Sequence, residues 1–472
     1  MTETRAAAAT LRPGTSYGRY LPLLLLALVV IVVAVAGRSG PSGAMVQAGV
    51  LVVFTILCWA FGLFAEPVAS LVFFLLAIVF AVAKPAVVFS GFQSVAWWLI
   101  FGGSITGIAV QTTGLGHRLA GLLFGRAAGT YPRAVAAVAL AALGLAFIMP
   151  STTGRILILM PVVIAFAERL GLGPGRPGYT GLMLTAAAGS YLPATSILPA
   201  NVPNTVLLGA AETIYGIKLT YGPYFLLHFP VLGALKTVVL VAAVCRLFPE
   251  RGPLVLAPAQ ASGPMTRDER ALVVILGAAL ALFATDFIHG ISPAWISLGA
   301  GISCLLPGIG MVSARQFSER MNLVTLIYVA GFLGVGALVT ESGLAAVTSR
   351  ELLHFANLVP GHTTTNLAAI ATIDAGLGLI TTLPGLPAVL TPLSSDFSAA
   401  TGLPVATLLM LQVVVFSTVF MPYQSPPMMI AMHLGNVRLR DGAKLTLWLA
   451  AITIALLIPL DYLWWRLLGW VA

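Results

Sequence analysis

The sequence predicts an all-helical, multi-pass membrane protein built from two inverted repeats, and three observations lead to this fold class. Of the 472 residues, 59% are hydrophobic and 8% are charged, and apolar runs of membrane-crossing length recur along the chain. The second half repeats the order of features in the first half. Proline and polar residues interrupt some of the apolar runs near their centres. We expect about eleven membrane-spanning helices, together with re-entrant hairpins and broken helices.

The simple spans follow from the apolar runs and the charges that flank them. The first run, 20–37, is longer than the apolar core of a signal peptide, so we interpret it as a retained helix. The other predicted simple spans are 45–64, 67–84, 95–113, 222–247, 270–288, 291–307, 322–340 and 443–468. Most cations lie in loops on one side, which places the amino terminus in the cytoplasm and the carboxy terminus outside. These loops also account for the net charge of +9 without a nucleic-acid partner.

A polar stretch rich in proline and glycine divides the chain into two similar halves. The segment from Gly102 to Leu115 aligns with the segment from Gly331 to Leu344, with five identities in fourteen positions. By the loop charges, the two segments cross the membrane in opposite directions, as in an inverted-repeat transporter. The predicted units are the cytoplasmic amino terminus with the first helix at 1–44, the first repeat at 45–247, a cytoplasmic linker at 248–270 and the second repeat at 271–472.

Four apolar stretches differ from simple spans. Two are predicted to be re-entrant hairpins, at 131–170 and at 362–401, and two are predicted to be proline-broken helices, at 178–213 and at 402–434. Backbone groups freed inside a membrane persist only where protein or a water-filled cavity satisfies them. A single break of this kind is more often structural, with Ser or Thr bridging the freed groups. Four breaks in matching order favour a site for an anion and a coupling cation.

Two charged residues lie within the predicted hairpins. Arg155 follows the polar tip of the first hairpin, and an unpaired cation at the bilayer centre costs about 2.5–3.5 kcal/mol. It is expected to bind a carboxylate of the substrate, to extend along its stem to the cytoplasmic surface, or to pair with Asp374. Asp374 is expected to be either a structural partner or a proton-coupling carboxylate. Lys236, in the span 222–247, is expected to extend to the surface or to pair at a helix interface.

Other classes of protein fit the sequence less well. Cys58, Cys245 and Cys304 are scattered, so neither a disulfide framework nor a metal site is indicated. A membrane-embedded enzyme would need clustered acids, histidines or a metal motif at one membrane face, and the acids of this chain are scattered. A passive channel would more naturally show a ring of pore-lining helices than two opposed hairpins.

With these features the chain resembles the divalent anion/sodium symporter family, a group of anion permeases and citrate-type transporters in the ion transporter superfamily. The resemblance rests on the TTGL and ESGL span ends, the two hairpins, the two broken helices and the linker, and it covers most of the chain after the first span. It implies a symporter for a small organic or inorganic anion such as a di- or tricarboxylate, with sodium as coupling ion and no other cofactor. It also implies a homodimer with an elevator-type motion in the inner membrane. Proton-coupled carriers and arsenite or sodium/proton-type carriers of the superfamily are the alternatives.

The family motifs are Ser-Asn-Thr at each hairpin tip and Thr-Pro-Pro-Asn-like sequences at each helix break. Together with Arg155, the substrate-binding residues that the resemblance implies are Ser151, Thr152, Thr153, Thr382, Ser425 and Pro426. The implied coupling-ion residues are Ser151, Thr152, Asn201, Asn204, Thr381, Thr382 and Ser425. Neither tip has the asparagine of the motif, and the chain also differs from the family pattern at Leu383, Pro384 and Met428. The first tip is therefore expected to matter most for transport.

Overall fold

Long apolar helices form most of the described chain, because backbone polar groups inside a bilayer need partners within their own segment. The computed structural model of the protein describes residues 21–36, 40–61, 63–118, 129–250, 254, 263–356, 358–380 and 383–471. These ranges contain no β-strand. Residues 1–20, residues 251–253 and 255–262 of the predicted linker, and Thr381 and Thr382 lie outside the described residues.

The helices that define the fold are numbered here in chain order. They are α1 (Leu21–Ala36), α2 (Gly40–Phe61), α3 (Glu66–Val79), α4 (Val95–Thr113), α5 (Tyr131–Ile148), α6 (Thr152–Arg169), α7 (Pro177–Tyr191), α8 (Val202–Tyr215), α9 (Tyr221–Leu247), α10 (Arg267–Ala284), α11 (Pro293–Leu305), α12 (Leu323–Glu341), α13 (Leu344–Ala356), α14 (Thr363–Ile380), α15 (Leu386–Leu390), α16 (Ser394–Thr401), α17 (Val405–Phe416), α18 (Pro426–Leu434) and α19 (Leu439–Leu467). In the described ranges, α4, α5, α9, α12 and α19 have the length and hydropathy of complete membrane spans.

The two hairpins and the two broken helices are confirmed. In the first hairpin, α5 and α6 are separated by a turn at 149–151, and in the first broken helix α7 and α8 are separated by 192–201. The second broken helix unwinds between α17 and α18. The return arm of the second hairpin, 383–401, is an irregular series of short helices and 3₁₀ turns. Its prolines explain this, because each removes a backbone donor and clashes with the preceding turn.

Helix α13 is an element that the sequence analysis did not assign. It is only 13 residues long, too short to cross a bilayer, and it follows directly on the end of α12. Arg350 and Glu351 are exposed, whereas Ala345 is buried, so the helix has a polar and an apolar face. Such a helix fits the membrane surface better than the membrane interior.

The two repeats interlock through a pair of equivalent contacts between small residues. Gly102 in α4 lies against α11, where a Cβ on the glycine would come 2.5 Å from the backbone oxygen of Ser297. Gly331 in α12 is the residue that aligns with Gly102, and it faces α3, where a Cβ would come 2.3 Å from Ser70 Oγ. The two serines have almost the same separation along the sequence as the two glycines. Each repeat therefore packs one helix against the other repeat in the same way, as an inverted repeat requires.

Candidate functional site

The four interrupted segments contact one another in crossed pairs. Helix α6, the second arm of the first hairpin, packs against α18, which begins at the second break. In the second hairpin, the turn Leu383–Gly385 and α15 pack against α8, which begins at the first break. Each hairpin therefore contacts the broken helix of the other repeat. This crossed packing brings the sequence-predicted site residues of both repeats into one region.

The tip of the first hairpin is the start of α6. Ser151 is the N-cap, and its hydroxyl accepts a hydrogen bond from the backbone N–H of Gly154 at 3.1 Å. Thr152 is buried, whereas Ser151 and Thr153 are partly exposed. Pro150 fits against Gly103 in α4, where a Cβ would lie 2.0 Å from the proline Cγ. The tip therefore rests on α4 at a point where only glycine leaves room.

Arg155 fastens this tip to the first helix break. Its side chain is 0% exposed. Nη1 donates hydrogen bonds to the backbone oxygens of Met149 and, at 2.7 Å, of Ala200. Nη2 donates to Thr152 Oγ1 at 3.0 Å and to the backbone oxygen of Ser190 at 2.7 Å. One guanidinium thus joins the hairpin turn to both sides of the unwound segment.

These contacts decide between the structural alternatives for Arg155. The side chain does not extend to the surface, and it forms no pair with Asp374. Within the described ranges, the salt bridges are Arg118–Glu269, Arg176–Glu250, Arg315–Glu319 and Arg438–Asp441. Asp374 is buried on α14, and its Oδ1 has no hydrogen-bond partner among the described residues. The guanidinium and this carboxylate are therefore independent buried groups.

The first break is organised by two asparagines. Asn201 is the N-cap of α8, and its Oδ1 accepts from the backbone N–H of Asn204 at 3.2 Å. Asn204 Nδ2 donates to the backbone oxygens of Thr195 at 3.0 Å and Ile197 at 2.8 Å. Both asparagines are buried. Asn204 thus satisfies two backbone carbonyls of the break, and Asn201 satisfies a backbone N–H at the start of α8.

Several buried polar atoms at the two breaks and the first tip have no partner in the described part of the chain. They are Asn201 Nδ2, Asn204 Oδ1, Ser190 Oγ, Arg155 Nε and, at the second break, Ser425 Oγ. Buried polar groups are nearly always hydrogen-bonded, so a cluster of unpaired ones needs an explanation. The free N–H groups can bind an anion, and the free oxygens can bind a cation. The arrangement has the chemistry of a binding site for small ions.

The second break depends on Gln424, which the sequence analysis did not single out. Its Oε1 accepts from the backbone N–H groups of Phe420 at 2.8 Å and Met421 at 2.9 Å. Its Nε2 donates to the backbone oxygen of Gly378 in α14 at 2.6 Å. Gln424 therefore ties the second break to the second hairpin, as Arg155 ties the first break to the first hairpin. The position of this glutamine between Pro422 and Pro426 was the feature of the sequence that could have identified it.

The remaining residues implied for the second half of the site contribute less. Ser425 is buried and is the N-cap of α18, and Pro426, which is partly exposed, is the first residue of that helix. Thr381 and Thr382 lie outside the described residues. Leu383 is buried and has no side-chain hydrogen-bonding group. The described polar side chains of the site therefore belong mostly to the first repeat.

A small cavity borders the first tip. It has a volume of about 30 Å³ and is lined in part by Phe147, Pro150 and Pro199. This is about the volume of one water molecule. An organic anion does not fit in this cavity.

The chain matches the family described as sodium:sulfate symporter transmembrane region over residues 19–471. It belongs to this family. The family consists of membrane transporters, so the chain is a multi-pass membrane transporter and not an enzyme. The resemblance seen in the sequence is thereby confirmed.

Several known proteins are similar to this member of the family. A membrane protein of Cupriavidus necator is 24% identical over 81% of this chain and 77% of its own length. An L-tartrate/succinate antiporter of Shigella dysenteriae is 27% identical over 59% of this chain, and the alignment spans 63% of that antiporter. Inner membrane protein YbhI of Escherichia coli is 25% identical over 55% of this chain and 56% of its own. The solved structure of the Alcanivorax borkumensis YdaH transporter, at 16% identity and a TM-score of 0.52, covers 96% of this chain and 99% of that chain and shows the fold alone.

Proposed function

We propose that the protein transports small dicarboxylate-type anions across the inner membrane by alternating access. The observation that carries this proposal is the environment of Arg155, a fully buried guanidinium without an acidic partner in the part of the chain that the structure describes. Its hydrogen bonds go to neutral oxygens, so its positive charge has no compensation. An anion bound close by would supply that compensation.

Helix ends add to this positive potential. Helices α6, α8 and α18 all begin at the hairpin tip or at a break. The N-terminus of a helix has a partial charge of roughly +0.5, which favours a bound anion. With the charge of Arg155, the positive charge of the region is roughly two to three units, which suits a ligand with two negative charges. A relative is named for the transport of L-tartrate and succinate, which are dianions of this class.

For the coupling mode we propose exchange of one anion for another. The carbonyls at the first tip and break already bind a fixed cation, the Arg155 guanidinium. A site with a fixed buried charge crosses the membrane at lower cost when an anion compensates it than when it is empty. Net movement of the empty site is therefore slow, and a return anion is needed. One relative is named an antiporter.

Sodium-coupled symport is the second candidate, as the family resemblance implies. The unpaired oxygens Asn204 Oδ1 and Ser425 Oγ favour it, because hard cations bind oxygen ligands. In that mode, sodium would bind near Ser151, Thr152 and the first break, and also at Ser425 in the second.

For the motion we propose that the hairpins and broken helices move against a scaffold, as an elevator within a homodimer. The dimer and the elevator rest on the family resemblance. The described residues of α2, α3 and α12 form one hydrophobic cluster, and the two hairpins and α17 belong largely to another. The first tip rests on α4 through the contact between Pro150 and Gly103, so this contact would slide or separate during transport.

Reconstitution into proteoliposomes tests the proposal. Vesicles loaded with unlabelled succinate, or with no anion, receive labelled succinate outside in sodium-free buffer. We expect saturable uptake only with internal succinate. Uptake that needs a sodium gradient and no internal anion would establish the symport candidate instead. Absence of saturable uptake for succinate, tartrate, citrate, malonate and sulfate under either gradient would refute anion transport.

A further inference from the structure

A second buried polar cluster lies where α9 and α19 meet, apart from the hairpin tips. Helix α9 is the last helix of the first repeat, and α19 is the last helix of the second repeat. Each contains a π-helical turn, at Phe229–Leu235 and at Thr453–Leu457. The two π-helical turns pack against each other. Such turns occur frequently at functional sites. Lys236 follows the first turn directly, and Asp461 lies about one helical turn beyond the second.

Lys236 connects this cluster to the second break. It is 1% exposed, and its Nζ donates to the backbone oxygen of Ser417 at 2.6 Å, with Ser417 Oγ at 3.2 Å. Ser417 is the C-cap of α17, the residue at which the second broken helix begins to unwind. A cation at the carboxyl end of a helix compensates the partial negative charge there. The ammonium group therefore stabilises the end of α17 in its described position.

Asp461 is the acidic counterpart of Lys236. It is 2% exposed, and neither carboxylate oxygen has a hydrogen-bond partner among the residues that the structure describes. Asp461 and Lys236 lie on helices whose π-helical turns pack against each other, and no direct salt bridge forms between them. Trp465 Nε1 lies beside the carboxylate one turn further on, without a hydrogen bond of normal geometry. A buried carboxylate with unpaired oxygens can accept a proton at low cost to its surroundings.

A large cavity leads to this carboxylate. Asp461 lines a cavity of about 670 Å³ between α14, α17 and α19, and it is the one carboxylate among the described residues that line it. Thr418, Thr364 and Tyr462 also line the cavity. The hydroxyl groups of Thr364 and Tyr462 are exposed and lie 2.9 Å from each other. The volume has room for several water molecules at about 30 Å³ each, and these hydroxyl groups and Asp461 are polar positions in a mostly apolar lining. Asp461 therefore borders an open space although its side chain is buried.

The other titratable groups near Asp461 are less suited to accept this proton. The described helices α9, α14 and α19 contain the following titratable residues besides Asp461: Tyr221, Tyr224, His228, Lys236, Cys245, Arg246, Asp374, Arg440, Asp441, Lys444, Tyr462 and Arg466. Of these, only Tyr462 lines the cavity, and its hydroxyl contacts Thr364. His228 Nε2 lies 3.4 Å from Met410 Sδ, and α17 has no titratable residue. Among the described residues of these helices, Asp461 is the carboxylate that lines the cavity, and both of its oxygens lack a hydrogen-bond partner.

We propose that Asp461 is a proton-binding site whose occupancy acts on the second helix break through Lys236 and Ser417. A proton that arrives by water forms an O–H bond with one carboxylate oxygen, and no other bond breaks. The ionised carboxylate compensates Lys236 and keeps the ammonium on the Ser417 carbonyl. The protonated carboxyl leaves Lys236 without its counter-charge, which weakens this arrangement in a medium of low dielectric. Proton binding thus alters the stability of the second break.

Infrared difference spectroscopy tests proton binding without any substrate. The full chain in liposomes is compared between mildly acidic and mildly alkaline buffer, and the carbonyl band of a protonated carboxyl group is followed. We expect a titrating band that is lost in Asp461→Asn. It should remain in Asp441→Asn, a matched change in the same helix at an exposed ion pair. A band that is unchanged in Asp461→Asn, or no titrating band at all in the unmodified chain, overturns the proposal.

A transport assay tests the coupling, and this part rests on the proposed function. Counterflow of labelled succinate is measured with and without an imposed pH gradient. We expect the gradient to change the rate in the unmodified chain and in Asp441→Asn, and to have no effect in Asp461→Asn. An unchanged gradient effect in Asp461→Asn contradicts the coupling. If the chain transports no anion, the proposed function fails, whereas the infrared result still decides the proton site.

A double variant provides the test if the single variant does not fold. If Asp461→Asn alone leaves Lys236 uncompensated and unfolds the protein, Lys236→Gln with Asp461→Asn removes both charges together. We expect this variant to elute as a folded protein and to lack the titrating band. Persistence of the band in the folded double variant assigns it to another residue and rejects the proposal.

Discussion

Replacing Arg155 by methionine tests how the first hairpin is held. Methionine is similar in length and apolar, and it removes all the hydrogen bonds to Met149, Ala200, Ser190 and Thr152 while filling much of the same space. Three backbone carbonyls then lose their side-chain partner inside the membrane. The turn at 149–151 and the unwound segment after α7 lose the group that joins them.

The magnitude follows from the number of bonds. A buried acceptor left unsatisfied costs about 1–3 kcal/mol, so three carbonyls cost roughly 3–9 kcal/mol. Methionine has no charge, so the cost of burying an uncompensated cation is removed, which offsets several kcal/mol of this loss. The net loss of stability is about 3 kcal/mol. Since about 1.4 kcal/mol is a factor of ten, the tip should detach from the break over a hundredfold more often.

Two measurements and one control check this prediction. Thermal unfolding of the purified chain should occur at lower temperature in Arg155→Met, and counterflow of labelled succinate should fall strongly. Arg155→Lys keeps the charge but not the planar fork, so it should retain more transport than methionine and less than arginine. Arg133 is exposed on α5 of the same hairpin, and Arg133→Met should leave both quantities unchanged.

One result would refute the reasoning directly. If Arg155→Met unfolds at the temperature of the unmodified chain and exchanges succinate at the same rate, Arg155 neither joins tip to break nor compensates the anion. Normal stability with lost transport would instead assign Arg155 to the substrate alone.

The remaining predictions concern the second break, the repeat interface and the orientation. Gln424→Leu should lower the unfolding temperature and transport, because three backbone groups lose their partner; unchanged values would show that the break is held by other contacts. Gly331→Val should abolish folded protein on a size-exclusion column through its clash with Ser70, whereas Gly376→Val, with open space around it, should not; equal yields would contradict the close packing. A cysteine at Gly263 should react with an impermeant thiol reagent only after the cells are opened, and labelling of intact cells would reverse the proposed topology.

Much of the fold could be predicted from the sequence, because its signals are local. An apolar run of membrane length predicts a span whatever surrounds it. A proline inside such a run predicts a break, since the lost donor and the ring clash act on the neighbouring turn. The helix interruptions of the structure therefore coincide with the prolines and polar tips of the sequence, and the alignment of the spans at Gly102 and Gly331 already indicated the repeat. Helix α13 was missed because a short amphipathic helix has no such signal at the length of a span.

The partners of the buried charged residues could not be predicted, because they depend on which segments meet in three dimensions. The sequence placed Arg155 beside a polar tip, but only the packing of α6 against the first break shows that it binds three backbone carbonyls and not Asp374. In the same way, Lys236 and Asp461 belong to different repeats, and the packing of the π-helical turns of α9 and α19 brings their helices together. The sequence by itself determined where the chain crosses the membrane and where it breaks. The tertiary structure decided which charges those breaks bring together, since electrostatic and hydrogen-bonding partners are selected by distance in space and not by position in the chain.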